Sequence, residues 1–516
     1  MIRRLLSITA PLISALLILS CGGGKGPDAL RLALETEPTN LDPAFAVDYS
    51  SGWVSSLIHS NLVRFEPDGS LVPDAASGWS ISGDGLEYVF RVGGSRFSDG
   101  SAVTAVDVER SLMRLIDPST ASPRWWVLEP VVGAPAWHAG RGGRPGIEVR
   151  DDSTLVIRLS SPAAHFLSLL AMPAAGIVSP RAADSLGRDY GRMPVGSGPW
   201  RLASWTSGDD LILERNPFAK SAGQGPPRIE IRLIPETMTR IAEFEVGNLD
   251  ILEIPPAELE LWRAAGVRLL RSPELRIVYI GLNNGKPPFD DPRVRRALNM
   301  AVDVDMIIGQ LLFGAAQRAT GIVPEGLRQS PLPEPLYRYD PEGARRLLAE
   351  AGYPDGFSME IWQRENPESG RVLESVQAFL ARAGVEVRIV TREWSAFKQA
   401  VDRGTPDAFY LDWYADYPDA GNFLVPLFHS GNRGGGGNRS GFADSAVDSI
   451  LDLASVEGDP AQRWKLYEEA EERVMEAAPW IFLWFPVRYE VVSHRLEGYE
   501  IPVIFNGQRF TGVTLR

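Results

Sequence analysis

One stretch of the chain concentrates groups that could hold a ligand. In Leu411-Asp-Trp-Tyr-Ala-Asp-Tyr-Pro-Asp-Ala-Gly-Asn-Phe-Leu424, the acids Asp412, Asp416 and Asp419 are interleaved with Trp413, Tyr414 and Tyr417, directly after an apolar run that reads as a buried strand. In α/β sheets, ligands sit in loops at the carboxyl ends of parallel strands. A carboxylate walled by aromatic rings suits an ammonium group, because both the charge and the ring faces attract a cation. The plainer alternative is a surface loop whose acids cap the next helix, and the segment alone leaves both open.

Groups for bond-making chemistry are sparse. The five histidines, His59, His138, His165, His429 and His494, are scattered, with no His-Glu-x-x-His or other close metal spacing. Gly196-Ser197-Gly198 lacks the spacing of a nucleophile elbow, and no Lys-Ser/Thr follows Gly434 to Gly437, so that run is not a phosphate loop. Acidic pairs are numerous, as the net charge of −14 requires, and any one of them reads first as a solvated face. The expectation is a protein that is not an enzyme, with no catalytic residues, no metal and no cofactor.

Cys21 is the only cysteine and has its own chemistry. Arg3 and Arg4 precede an apolar run, Leu5 to Leu19, of signal-peptide length and too short for a comfortable membrane span. Ile18-Leu19-Ser20-Cys21 reads as a lipobox, and Gly22-Gly-Gly-Lys-Gly-Pro27 as a flexible tether. Cleavage before Cys21 leaves a thiol and an amine for acylation, and two or three acyl chains anchor stably where one is marginal. The expected division is a signal peptide over 1–20, a lipidated Cys21 with its tether over 21–26, and an extracytoplasmic chain held at a membrane. An uncleaved anchor with an incidental cysteine is the alternative.

With no second cysteine there is no disulfide, so stability must come from the core. About 490 residues after cleavage exceed one usual core, which implies two or more lobes. A 44% apolar and 23% charged composition is that of a globular protein. Removing Arg3 and Arg4 takes the net charge from −14 to −16, an acidic balance that argues against nucleic acid.

Several elements would position these groups. Ala29 to Leu34 and Glu87 to Val92 alternate as strands; Ser50 to Asn61 has helical spacing. Asp107 to Leu115 reads as a helix with Thr104 as N-cap and Asp107 in capping-box position. Gly146 to Leu159 reads as two strands joined at Asp151-Asp152, and Pro194 to Trp205 as a loop entering the strand Asp210 to Arg215. After residue 226 strands and helices alternate: Arg228 to Ile234, Met238 to Val246, Leu249 to Ile254, Ile277 to Leu282, one long helical region from Pro292 to Leu312, and Pro341 to Ala351 ended by Gly352. Phe357 to Trp362, Gly370 to Ala383 and Val385 to Val390 form a βαβ unit, and Trp394 to Val401 with Ala408 to Trp413 reads as another. Such alternation predicts α/β lobes with mostly parallel sheets. Of the 14 tryptophans, Trp200, Trp205, Trp394 and Trp413 fall in polar or glycine-rich surroundings; most tryptophans read as core, some as lining for a cleft.

A set of motifs in order gives a resemblance. Glu37-Pro-Thr-Asn-Leu-Asp-Pro43, Phe97-Ser-Asp-Gly-Ser-Ala-Val-Thr-Ala-Val-Asp-Val108, Asp117-Pro-Ser-Thr-Ala-Ser-Pro123, Gly196-Ser-Gly-Pro-Trp200, Arg215-Asn-Pro217, Val294-Arg-Arg-Ala-Leu298, Asp340-Pro-Glu-Gly-Ala344 through Ala351-Gly-Tyr353, and Trp413 through Asp419 occur along nearly the whole chain. The chain resembles bacterial extracellular solute-binding proteins of family 5, the receptors of oligopeptide, dipeptide and nickel ABC transporters, and its oligopeptide branch above all.

The resemblance implies a periplasmic-binding-protein-like fold of the large type II class: two α/β lobes joined by two hinge crossings, with an extra β-rich subdomain. Lobe I is expected over 27–280 with the subdomain at 71–190, lobe II over 281–482, and a return to lobe I over 483–516. The hinge is expected near Tyr279–Asn283 and Trp480–Pro486. Asp416 matches the aspartate that binds the ligand's α-ammonium in peptide receptors. Trp394 and Trp413 match pocket tryptophans, and Arg364 resembles the arginine that holds the ligand carboxylate in the dipeptide branch, allowing a one-residue gap. Tyr410 stands where some oligopeptide members carry a basic residue. The implied partners are a peptide or other small solute and a permease–ATPase complex, for a monomer acting outside the cytoplasm. Nickel-chelate or oligosaccharide binding, an exported hydrolase, and a signalling or adhesion lipoprotein are the rival readings.

Overall fold

The computed structural model describes residues 28–516. The signal peptide over 1–20, Cys21 and its tether over 21–26 lie outside the described residues.

The strand Ala29–Leu34 pairs in parallel with Arg228–Leu233, which continues antiparallel to Asp210–Arg215 and then Trp200–Thr206. Helix Tyr49–Ile58 packs on this sheet; Trp53, Val54, Leu57 and Ile58 share a core with Leu30, Leu32, Ile229 and Trp200. Gly196 and Gly198 make the approach possible. A Cβ on either would lie 2.1 Å or 2.7 Å from the carbonyl oxygen of Ile58, so only glycine lets the chain pass the helix end. The Trp200 indole is fully buried and donates to the carbonyl of Arg509 at 2.9 Å, tying the C-terminal segment to this sheet.

A second sheet, antiparallel throughout, has the order Ala76–Ile81, Glu87–Val92, Thr154–Arg158, Ile147–Asp151. It lies within the stretch 71–190. Helix Ala105–Ile116 covers it, starting at the expected capping box: Thr104 and Asp107 exchange side-chain and backbone hydrogen bonds at both ends.

The largest sheet carries the order Ile251–Glu253, Trp480–Val492, Arg276–Leu282, Ala408–Tyr414, Phe357–Arg364, Val385–Arg392, with Leu269–Pro273 and Ala316–Arg318 also pairing to Trp480–Val492. Helices sandwich its second half. One face buries Tyr279, Phe409, Trp480 and Phe482; the other buries Val278, Ile280, Ile481 and Leu483, as strand alternation demands. The 13-residue strand Trp480–Val492 is shared between two groups of partners. Its residues 480–486 pair with Arg276–Leu282 and Ala316–Arg318, and 487–492 pair with Leu269–Pro273 and Ile251–Glu253, with only Pro273↔Val487 at the changeover.

Three local expectations change. The sheets are mixed, not mostly parallel. The parallel pairs are Ala29–Leu34 with Arg228–Leu233, and Phe357–Arg364 with both Val385–Arg392 and Ala408–Tyr414. The other pairs are antiparallel: the returning strand Trp480–Val492 makes four of them, and Arg276–Leu282 runs antiparallel to Ala408–Tyr414, tertiary pairings that local periodicity does not encode. Trp200–Thr206 is a strand that pairs with Asp210–Arg215, where a loop was expected. The region Pro292–Leu312 is two helices, Pro292–Ala301 and Val304–Gln310, because Asp303 caps the second by accepting from the Met306 amide at 3.0 Å.

Candidate functional site

Strand Ala408–Tyr414 carries the candidate segment to the edge of its sheet. By alternation Leu411 and Trp413 face one core, and Tyr410, Asp412 and Tyr414 face the opposite side. The chain then turns, and Asp416 sits in the loop before helix Gly421–Phe428. The loop is braced from behind. Trp413 Nε1 donates to the Asn422 carbonyl at 2.9 Å, and the Asp416 amide donates to Asn422 Oδ1 at 2.9 Å. Trp413 is half-buried against Phe423 and its neighbours, so it supports the loop as much as it lines any space.

The Asp416 side chain is 33% exposed, and its nearest cation is Arg124, from the 71–190 stretch, at 3.5 Å. Desolvation pushes the Asp416 carboxyl up from its ordinary value, with Arg124 pulling the other way. A carboxylate that is partly open to water and still desolvated is crowded by protein without being closed off. Three other residues share that signature. Tyr49 leaves 52% and Tyr414 leaves 36% of their surface open, yet confinement raises both hydroxyls. Glu253 is exposed, and its carboxyl is pushed up to about 7 by burial of its surroundings and by Glu274 and Glu490, against the pull of Arg488. Tyr49 opens the helix on the first sheet, Glu253 ends the edge strand Ile251–Glu253 of the largest sheet, and Tyr414 ends the strand Ala408–Tyr414.

Arg364 and Trp394 form a second station. Arg364 is exposed at the carboxyl end of Phe357–Arg364, and its guanidinium lies 5.6 Å from the Trp394 ring, itself 46% exposed. Trp394 opens the helix Trp394–Asp402. Between the stations, Arg276 Nε donates to Asp412 Oδ2 at 2.8 Å, and Arg276, Asp412 and Arg364 all act on the Tyr410 hydroxyl, which burial raises. Asp416 and Trp413 are thus brought together, as are Arg364 and Trp394, but among the described residues no hydrogen bond, ion pair or ring contact joins the two pairs. Sequence reasoning missed Arg124, Tyr49, Arg276 and Glu253. The Arg124-Trp125-Trp126 run beside the Asp117–Pro123 motif was the one local signal.

Other contacts join the 71–190 stretch to segments after residue 400. Tyr417 is buried in the core of the 71–190 stretch and stacks on His165, with ring centroids 5.5 Å apart and planes 8° from parallel. The Ala164 amide donates to the Ser455 carbonyl at 3.3 Å. Among the described residues no group of three or more His, Cys, Asp or Glu could hold a metal, and no helix is long and apolar enough to cross a membrane.

One long strand shared by two groups of partners, with charged and aromatic side chains left partly open near Asp416, is an arrangement suited to holding a ligand. Residues 70–435 match the bacterial extracellular solute-binding proteins, family 5 (middle region), and the chain belongs to that family. It is a solute-binding component of ABC transport and not an enzyme. Among curated relatives, the glutathione-binding protein GsiB of Salmonella typhimurium is 31% identical over 483 residues, 91% of each chain, and that of Escherichia coli K12 is 29% identical over the same span. Among solved structures, the unliganded open form of the periplasmic murein tripeptide-binding protein MppA superposes with a TM-score of 0.82 at 25% identity, covering 95% of this chain and 97% of that one. DppA of Helicobacter pylori, in complex with the peptide STSA, gives a TM-score of 0.77 at 28% identity, covering 94% and 98%. The fold is the periplasmic-binding-protein fold of these proteins.

Proposed function

We propose that this chain is a lipid-anchored extracytoplasmic receptor that closes on a peptide in the groove between two lobes and delivers it to a membrane permease driven by its ATPase. The observation that carries the reading is Asp416: a desolvated but half-open carboxylate on a braced loop, suited to a ligand's ammonium. The relatives support peptide chemistry, since they are named for glutathione and murein tripeptide or hold a bound tetrapeptide. Backbone groups grip a peptide without regard to sequence, and fixed charges at its ends set register. Arg364, stacked on Trp394, takes the role of the carboxylate end. The lipobox at Cys21 supports the anchor.

Lobe I comprises the first sheet, the 71–190 subdomain and the C-terminal return; lobe II comprises the second half of the largest sheet and its helices. We place the chain crossings at Pro273–Leu275 and Pro486–Val487. The first lies a few residues before the expected Tyr279–Asn283, because Arg276–Leu282 is hydrogen-bonded throughout into the lobe II sheet. Contacts made with both lobes exist only when the groove is closed, so ligand favours closure.

Mass spectrometry of material released from natively purified protein tests the reading. A peptide with a free amino group is the expected result; an oligosaccharide or a nickel chelate contradicts it. Palmitate labelling tests the anchor: Cys21→Ala removes the label, and label persisting at the wild-type level contradicts the lipobox.

A further inference from the structure

Arg124 is the one cation within ion-pair reach of Asp416 among the described residues, and it reaches across the groove. The pair is loose. Its 3.5 Å separation exceeds the roughly 2.7–2.9 Å of a well-made charge-assisted bond. The nearby Arg114–Asp42 pair shows the contrast: two bonds, at 2.8 Å and 2.5 Å, to a carboxylate only 3% exposed. Arg124 is nevertheless held by its own lobe, through Nη2 donating to the Val47 carbonyl at 3.0 Å and a guanidinium 5.9 Å from the Trp126 ring. A guanidinium has five N–H donors, so these bonds leave donors over, and the two charges face each other with room to be parted.

A ligand bringing only an ammonium to Asp416 would place a like charge beside Arg124, which is repulsive in a desolvated site. A head group with ammonium and carboxylate on the same carbon meets both residues at once. An α-linked peptide lacks that head, because the first residue's α-carboxyl is spent in the peptide bond. A peptide linked through the side-chain carboxyl of its first residue keeps it.

We infer that Arg124 and Asp416 together receive a zwitterionic α-amino-acid head, so that this chain selects γ-glutamyl-type peptides over their α-linked isomers. The inference rests on the reading of the groove as a peptide site. Arg124 is the specificity-determining residue, and it takes the free α-carboxylate while Asp416 takes the ammonium.

Titration calorimetry with γ-Glu-Ala-Gly, α-Glu-Ala-Gly and Ala-Ala-Gly tests it. The first two share composition and net charge and differ in where the free carboxylate lies. The wild type should prefer the γ isomer by about 10- to 100-fold. Arg124→Gln should erase most of that preference by weakening the γ isomer, and Arg124→Lys, which keeps the charge, should retain part of it. Equal affinities for the two isomers, or a preference that survives in Arg124→Gln, overturn the inference and leave the peptide receptor intact. Binding of none of the three, with no peptide in the natively released material, overturns the peptide reading and this inference with it.

Discussion

His59 and Asp416 are both titratable groups driven by burial towards their neutral forms, and they are built in opposite ways. His59 is 1% exposed; its Nδ1 lies 3.1 Å from the Ser55 carbonyl and its Nε2 lies 3.1 Å from the Tyr190 hydroxyl. Burial lowers its pKa to about 4. Asp416 is one-third exposed, holds a single loose partner, and hangs on a loop whose bracing bonds go to its backbone and not to its carboxylate. A buried polar group with every position satisfied fixes the fold. One that is desolvated and left under-partnered has kept capacity for something that arrives later. The same contrast holds among the family motifs. Arg295, in Val294–Leu298, spends its guanidinium on the carbonyls of Phe289, Asp290, Ala477 and Ala478, and Asn216 bridges the Gly198 carbonyl and the Phe218 amide. Those motifs hold the scaffold, whereas Arg364 is exposed and Asp416 keeps a third of its side chain open.

The widest separation between the two kinds of site is expected from Asp416→Asn. It removes one partner of a desolvated charge pair, which typically costs about 2–5 kcal/mol, or roughly 30- to 5,000-fold in ligand affinity. Thermal stability should hold or rise, because a desolvated carboxylate is gone. A lower melting temperature with binding intact would reverse the assignment and make Asp416 structural.

His59 should show the opposite pattern. The unfolded chain takes up the imidazole proton near 6.5, the folded chain only near 4. Acid therefore favours the unfolded state as pH falls through that window. The stability lost approaches about 3 kcal/mol, at about 1.4 kcal/mol per pKa unit. Urea unfolding at pH 7 and pH 4.5 should show the loss in the wild type and a smaller one in His59→Gln. Equal losses in both would remove His59 as the source.

Trp413→Phe keeps an aromatic ring on the core and deletes the indole bond to Asn422. About 1 kcal/mol, or roughly fivefold in affinity, is expected from a loop held less firmly. If Trp413 is mainly a pocket wall, its loss will depend on the ligand's side chains; if it is a brace, all ligands will weaken alike. A panel of peptides differing at one position separates the two.

Arg364→Gln should have the smallest effect. Arg364 is exposed beside Trp394, and an exposed ion pair with the ligand's carboxylate contributes about 0.2–1 kcal/mol, or at most roughly fivefold in affinity. The loss should disappear for a C-terminally amidated peptide. An equal loss with the amide would take Arg364 out of carboxylate recognition.

What the sequence disclosed follows from what each residue needs. The Thr104–Asp107 box and the Phe357–Arg364/Val385–Arg392 unit were readable because their determinants lie within a few tens of residues. The strand Trp200–Thr206 was hidden by its Gly-Ser-Gly-Pro entry, whose glycines answer a close approach to Ile58. The antiparallel character of the largest sheet depends on strands that arrive at residues 408 and 480 to flank the one at 276. The acidic, aromatic character of the segment 411–424 was legible in the residues themselves, and the resemblance singled out Asp416 within it. Arg124 was not legible, since its meaning comes from a partner 292 positions away that it meets only once the chain has folded.

The central claim, that Asp416 receives the ligand's ammonium, is tested most directly by crossing Asp416→Asn with N-acetylation of the peptide recovered from the native protein. Titration calorimetry gives the four affinities. Each change alone should weaken binding severely, and the two together should weaken it little further, because both delete the same contact. Losses that simply add, or an acetylated peptide that binds the wild type undiminished, would contradict the account.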